Sequence, residues 1–139
     1  MEIDPKYTVV ELGKTVKQGE GWLVTSTQPV EDIILTAAEH YYQVPVSEGY
    51  GLSLYYARPQ DEEAALVLMK DGVWALDFFK GWLGEYKEQR HLKLCITPRE
   101  RGGGYVRPGM IVMQAMSFHG LAHELAHLWW AKDLPGRIG

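Results

Sequence analysis

Residues 52–86 read LSLYYARPQDEEAALVLMKDGVWALDFFKGWLGEY, and within this stretch the hydrophobic period changes from that of a strand to that of a helix. Leu52, Ser53 and Leu54 alternate as a half-buried strand does. The pattern breaks at Arg58-Pro59. Asp61 is then suited to cap a helix, and Glu62 and Glu63 to stabilise its positive N-terminal end. From there Ala65, Met69, Gly72, Leu76, Phe79, Leu83 and Tyr86 recur at steps of four and three, which is one apolar face of a long amphipathic helix. Glu63, Lys70, Asp77 and Glu88 lie near the opposite face. Gly72 and Gly81 weaken this helix, each by roughly 1 kcal/mol relative to alanine.

Toward the N-terminus the chain reads as strands: Tyr7–Leu12, Trp22–Ser26, Ile33–Tyr42 and Leu52–Arg58 are rich in Val, Ile, Thr and Tyr and are separated by breaks containing Gly, Pro or Asp. Beyond the helix, Leu92–Thr97 is a strand stopped by Pro98. A glycine-rich loop, RERGGGYVRPG, runs from Arg99 to Gly109, and Met110–Gln114 is a further strand. A final helix is expected from about Ser117 to Lys132, with Pro135 and Gly136 past its end. The order of strands, helix, strand, loop, strand, helix gives an α+β fold class. No internal repeat or low-complexity tract interrupts it.

At 139 residues the chain has the size of one domain and can bury a core without disulfide support. Its formal charge is −4 with no basic cluster, so a nucleic-acid partner is not expected. No apolar run approaches the roughly 20 residues of a membrane helix, so no membrane partner is expected either. The beginning, MEIDPKYTVV, lacks the basic and apolar regions of a secretory signal, which leaves the cytoplasm as the default expectation. Cys95, the single cysteine, lies in the apolar run LKLCIT and reads as a buried, inert thiol. Five Trp and eight Tyr suggest a large aromatic core or an apolar docking surface.

The segment that carries chemistry is HGLAHELAHLWW, residues 119–130. It contains His123-Glu124-Leu125-Ala126-His127, an H-E-x-x-H. On a helix, residues four apart lie one turn apart on the same side, so two imidazoles can converge on one metal ion. Glu124, one residue past the first of them, can face a water on that metal and act as general base. Zinc (Zn2+) suits such a donor set, because two nitrogens and a carboxylate leave a position open for water. His119 extends the row to i, i+4, i+8. Each step of four rotates by about 40°, which carries His119 off the ligand face and leaves it a supporting or capping residue.

HELAHLWW resembles the active-site helix of the gluzincin zinc aminopeptidases, the alanyl aminopeptidase and leukotriene A4 hydrolase family, whose pattern is H-E-[LIA]-A-H-[QL]-W-[WF]. His123, Glu124, Ala126, His127, Trp129 and Trp130 match it. Upstream, GYVRPGMIVM resembles the family's G-x-M-E-N loop and following strand. Leu92–Pro98 resembles the preceding strand, and the helix from Asp61 with its tail FFKGWLGEY resembles the family's helix ending in F-G-x-Y. WLVTSTQPVEDIILTAAEHY resembles the junction between the family's N-terminal β domain and its catalytic domain. The resemblance implies a thermolysin-like fold. Residues 1–20 would be the end of an N-terminal β domain or a tail, and residues 21–139 a partial zinc peptidase domain. It further implies His123 and His127 as zinc ligands and Glu124 as general base. A peptide substrate would be held along the loop by Gly103, Gly104, Tyr105, Val106 and Arg107 through β-augmentation.

Three departures qualify these expectations. The family's third ligand is a Glu about 18–19 residues past the second His, whereas twelve residues follow His127. The chain is therefore expected to be a piece of a longer metallopeptidase that by itself binds zinc weakly and hydrolyses nothing. The loop glutamate that grips the substrate's free amine falls at Val106, beside Arg107. The Gly-Asn that follows the Trp pair is Ala131-Lys132.

Two alternatives stand beside the fragment reading. In one, Asp133 serves as a third ligand in a metzincin arrangement, although Trp130 occupies the position of the glycine that pattern needs. In the other, the chain is a non-catalytic binding or assembly domain on a degenerate peptidase scaffold. If half of a catalytic domain lies outside the chain, apolar surface at Leu125, Leu128, Trp129 and Trp130 should be uncovered and drive homo-oligomer formation.

Overall fold

The strand-to-helix switch is the centre of the architecture. In the computed structural model β6 (Leu52–Tyr56) leads through a 3₁₀ turn at Pro59–Asp61 into α1 (Glu62–Leu83), and the chain returns as β7 (Leu92–Ile96), parallel to β6. The structure describes residues 3–4, 6–11, 14–25, 34–45, 47, 49, 51–85, 91–98, 104–107 and 109–130. Among these, β1 (Thr8–Glu11) pairs with β4 (Leu35–Ala38), and β2 (Lys14–Gln18) pairs with β3 (Gly21–Thr25). The main sheet has five strands in the order β5-β6-β7-β9-β8, with β5 at Tyr42–Val44, β8 at Tyr105–Arg107 and β9 at Met110–Met113. β6, β7 and β9 are mutually parallel, while β5 and β8 run antiparallel at the two edges. The second helix, α2, spans Phe118–Trp130. The fold is α+β.

Register explains which side chains meet. Leu54, Leu94 and Ile111 lie across from one another on β6, β7 and β9, with Val106 next in line on β8. This row faces the helices and belongs with Leu68, Leu76, Leu121 and Leu125 to the larger core. The alternate row of Ser53, Lys93, Met110 and Arg107 faces the other way. There Met110, Val112 and Cys95 pack on Val10, Ile34 and Tyr41 from the N-terminal strands. β7 and β9 are covered on both faces, which is why MIVM reads as a continuous apolar run and LKLCI as one broken only by Lys93. Lys93 ties the layers together, its Nζ donating to the Glu11 carbonyl at 2.8 Å and to Glu11 Oε1 at 3.2 Å. Cys95 is buried as expected, with its Sγ 3.1 Å from Thr36 Oγ1.

α1 buries Ala65, Leu68, Met69, Gly72, Ala75 and Leu76, close to the face read from the sequence. Gly72 has a packing reason: a Cβ there would stand 3.1 Å from Leu52 Cδ2 and 3.3 Å from Leu121 Cδ2, so the bare backbone lets α1 settle against both β6 and α2. No side chain of the described residues lies within 4 Å of such a Cβ at Gly81. Asp61 precedes the helix but makes no side-chain cap; its carboxylate instead accepts from Arg58 Nε at 2.7 Å. Tyr86 and Glu88 fall outside the described residues.

Several expectations are corrected. Of the single strand expected over Ile33–Tyr42, Leu35–Ala38 form β4, which pairs with β1, and the chain re-enters a strand only at Tyr42, where β5 begins and joins the main sheet. β2 was not foreseen: its residues are mostly exposed and carry no apolar alternation. The glycine-rich segment ends in the edge strand β8 rather than remaining loop up to Gly109. Leu125 and Leu128 are buried, since both lie on the face of α2 that packs against α1 and the sheet, and Trp129 is partly buried. Trp130 is exposed as expected, and the exposed apolar surface runs on along α1 at Trp74, Phe78 and Trp82 and to Phe118 through ring contacts of 5.8–6.2 Å. Among the described residues no helix is long and apolar enough to cross a membrane.

Leu121 is fully buried at the point where α2 crosses α1. Leu121→Ala is expected to destabilise the fold by about 2–5 kcal/mol, read as a lower urea midpoint at unchanged m-value.

Candidate metal centre

α2 is set by a cap and a buried stripe. Ser117 Oγ accepts the Gly120 backbone N–H at 3.2 Å, and the Leu121 N–H donates to the Ser117 carbonyl at 2.9 Å, so Ser117 is the capping residue. His119 is exposed in the first turn. Leu121, Leu125 and Leu128 recur at steps of four and three and seat the helix on the core. At the other end Trp129 Nε1 donates to the Gly84 carbonyl at 3.2 Å and fastens α2 to the C-terminus of α1. Phe79 packs on Trp129 at 5.4 Å between ring centroids.

These anchors leave His123 and His127 on the flank of the buried stripe, exposed and half-buried respectively. Their Nε2 atoms are 3.2 Å apart and the rings meet edge to face. Zn–N bonds of about 2.0–2.1 Å at a tetrahedral angle would hold two nitrogens about 3.3 Å apart. The observed separation therefore fits two ligands of one ion. Without metal the same contact is a hydrogen bond when one of the two nitrogens carries the proton. Among the described residues no group of three or more His, Cys, Asp and Glu is placed to hold a metal ion. Asp133 lies outside the described residues.

Glu124 is turned inward, only 6% exposed. Its Oε2 has no hydrogen-bond partner among the described protein groups. Burial pushes its carboxyl above the ordinary carboxylate range, against the opposing pull of His127 and His123. A buried carboxylate oxygen left unpaired beside two imidazoles suits a group that works as an acceptor rather than as packing.

The carboxylate faces the start of β8. An ideal Cβ on Gly104 would lie 2.8 Å from Glu124 Oε1 and 3.1 Å from both Cδ and Cγ. Val106, two residues on, points to the same side and packs on the core. Arg107 lies in the row with Lys93 and Met110, on the face away from α2, and its Nη1 donates to the Val106 carbonyl at 3.0 Å. Tyr105 pairs with Val112 on the ladder, and Gly103 falls outside the described residues. Of the substrate-segment residues read from the sequence, Gly104, among the described ones, thus comes up against Glu124. Sequence reasoning missed this contact, since only its glycine run marks the place.

No protein-family model matches the chain, and no curated protein sequence does either.

The two imidazoles give a direct expectation. Isothermal titration with zinc should show one site per chain. Either His123→Ala or His127→Ala should weaken it at least as much as the roughly 10–100-fold that loss of an outer-shell partner costs.

Proposed function

We propose that this chain carries the catalytic core of a zinc metallopeptidase, thermolysin-like and related to the zinc aminopeptidases, with its third metal ligand supplied from outside the described residues. The observation that carries the reading is the convergence of His123 and His127 Nε2 at 3.2 Å, with a buried carboxylate, Glu124, between them in sequence. Zinc, when bound there, would supply Lewis acidity toward a carbonyl and lower the pKa of a coordinated water.

The chain's own residues supply the rest. His123 and His127 are held one turn apart by a helix fixed at both ends. Glu124 accepts a proton at its unpaired Oε2 and can pass it to the departing amine, and its raised proton affinity suits that exchange. Among the described residues β8 is the outermost strand of the sheet, and its outer edge would take an extended peptide. Val106 stands where the aminopeptidases carry the glutamate that grips a free amine. The reading is therefore of peptide hydrolysis without selection for an amino terminus.

A non-catalytic binding domain on a degenerate peptidase scaffold is the second reading, and the apolar Val106 favours it. Retention of His123, Glu124 and His127 together favours the first. With the two imidazoles of the described residues alone, zinc would be held weakly and no peptide turned over.

In the polypeptide that supplies the third ligand, Glu124→Gln should keep its zinc and lower kcat on a quenched peptide by about 10²–10⁴. Chelator-sensitive hydrolysis that survives Glu124→Gln would contradict the assigned base. Zinc-loaded protein that binds peptides without cleaving them would support the binding-domain reading.

A further inference from the structure

We propose that Gly104 is a positioning residue for Glu124: the bare backbone at the start of β8 forms the wall that fixes the carboxylate. The functional meaning of this wall rests on the reading of Glu124 as general base, but the contact itself does not.

The backbone gives no other reason for a glycine here. Gly19, Gly49, Gly51, Gly84 and Gly109 have positive φ, a region that disfavours side chains, and Gly104 is not among them. Its φ therefore does not by itself demand a glycine. What excludes a side chain is space. A Cβ would sit 2.8 Å from Glu124 Oε1 and 3.1 Å from Cδ and Cγ, so it would strike the last three atoms along the side chain rather than its tip alone.

The surroundings decide which partner yields. β8 is laddered to β9 through Tyr105, Val106 and Arg107, and Val106 is embedded in the core, so the strand is held. α2 is held by Leu121, Leu125 and Leu128 and by the Trp129–Gly84 bond. The Glu124 side chain is the softest element between them. A methyl group at residue 104 would therefore turn the carboxylate away from its place beside His123 and His127. Conversely, the glycine lets strand and helix approach until the carboxylate is trapped between them with Oε2 unpaired.

The test is a double-mutant cycle on the full chain, metal-free, with two readouts. Wild type, Gly104→Ala, Glu124→Ala and the double variant are compared by thermal unfolding. In protein labelled with ¹³C at the Glu side-chain carboxyl, the Glu124 resonance is assigned by its loss in Glu124→Ala. Gly104→Ala is expected to move that resonance and to lower Tm by about 2–5 °C, with most of the Tm loss abolished in the Glu124→Ala background. A role for Gly104 in strand stability alone would not move the Glu124 signal.

An unmoved resonance, or equal Tm losses in the two backgrounds, would overturn the proposal. If Gly104→Ala fails to fold, recovery of folding in the double variant supports the proposal and failure of both overturns it. Neither readout involves metal or turnover, so failure here and failure of the metallopeptidase reading are separate results.

Discussion

One helical turn separates His123 from His127, and the proposed metal site depends on that turn being held still. An isolated helix of 13 residues is marginal in water. α2 persists because Leu121, Leu125 and Leu128 are buried, Ser117 caps its start, and the Trp129 indole donates to the Gly84 carbonyl just past the end of α1. Packing thus does for the imidazole pair what helix propensity alone could not. The pair lies on the flank of the packed stripe, where solvent and ligand can reach it, while Glu124 lies at the stripe's edge and is drawn inside.

The sheet has a matching role. Its three parallel strands are buried on both faces and give a rigid floor, and the antiparallel strand β8 is laid along the outside of that floor. Glu124 therefore stands where a mobile element is least expected: between a fixed helix and a laddered strand. A carboxylate in such a place costs stability, since one oxygen lacks a partner and burial disfavours its charge. A domain that only needed to fold would place an apolar residue here. The cost is intelligible if the site must accept a proton.

Much of this was legible in the sequence because the relevant signals are periodic. α1 announces itself through apolar steps of three and four, α2 through the Pro135-Gly136 signal past its end, and β7 and β9 through largely apolar runs. The H-E-x-x-H fell on a helix as its spacing requires. What was not legible is long-range. Residues 35–44 read as one strand-like stretch despite Glu39-His40, and only the tertiary structure places Leu35–Ala38 and Tyr42–Val44 in different sheets. β2, with Lys14, Lys17 and Gln18 exposed, has no buried face to produce a period. β8 has three residues, too few for alternation to register, and is defined by its partner β9. The meeting of Gly104 with Glu124 joins residues 20 apart and depends on the sheet bringing its edge to the helix. The exposed aromatics of α1 were not singled out, and exposure was expected at Leu125, Leu128 and Trp129, which packing covers or partly covers. The sequence shows that Trp74, Phe78 and Trp82 form a row, but not which row faces the core.

The central claim is that His123 and His127 act together on one metal ion. X-ray absorption at the zinc edge of the zinc-loaded chain tests it most directly. The account predicts two imidazole nitrogens in the first shell at about 2.0–2.1 Å, both lost in the His123→Ala/His127→Ala double variant. A first shell without imidazole scattering, or one unchanged in that variant, would contradict it.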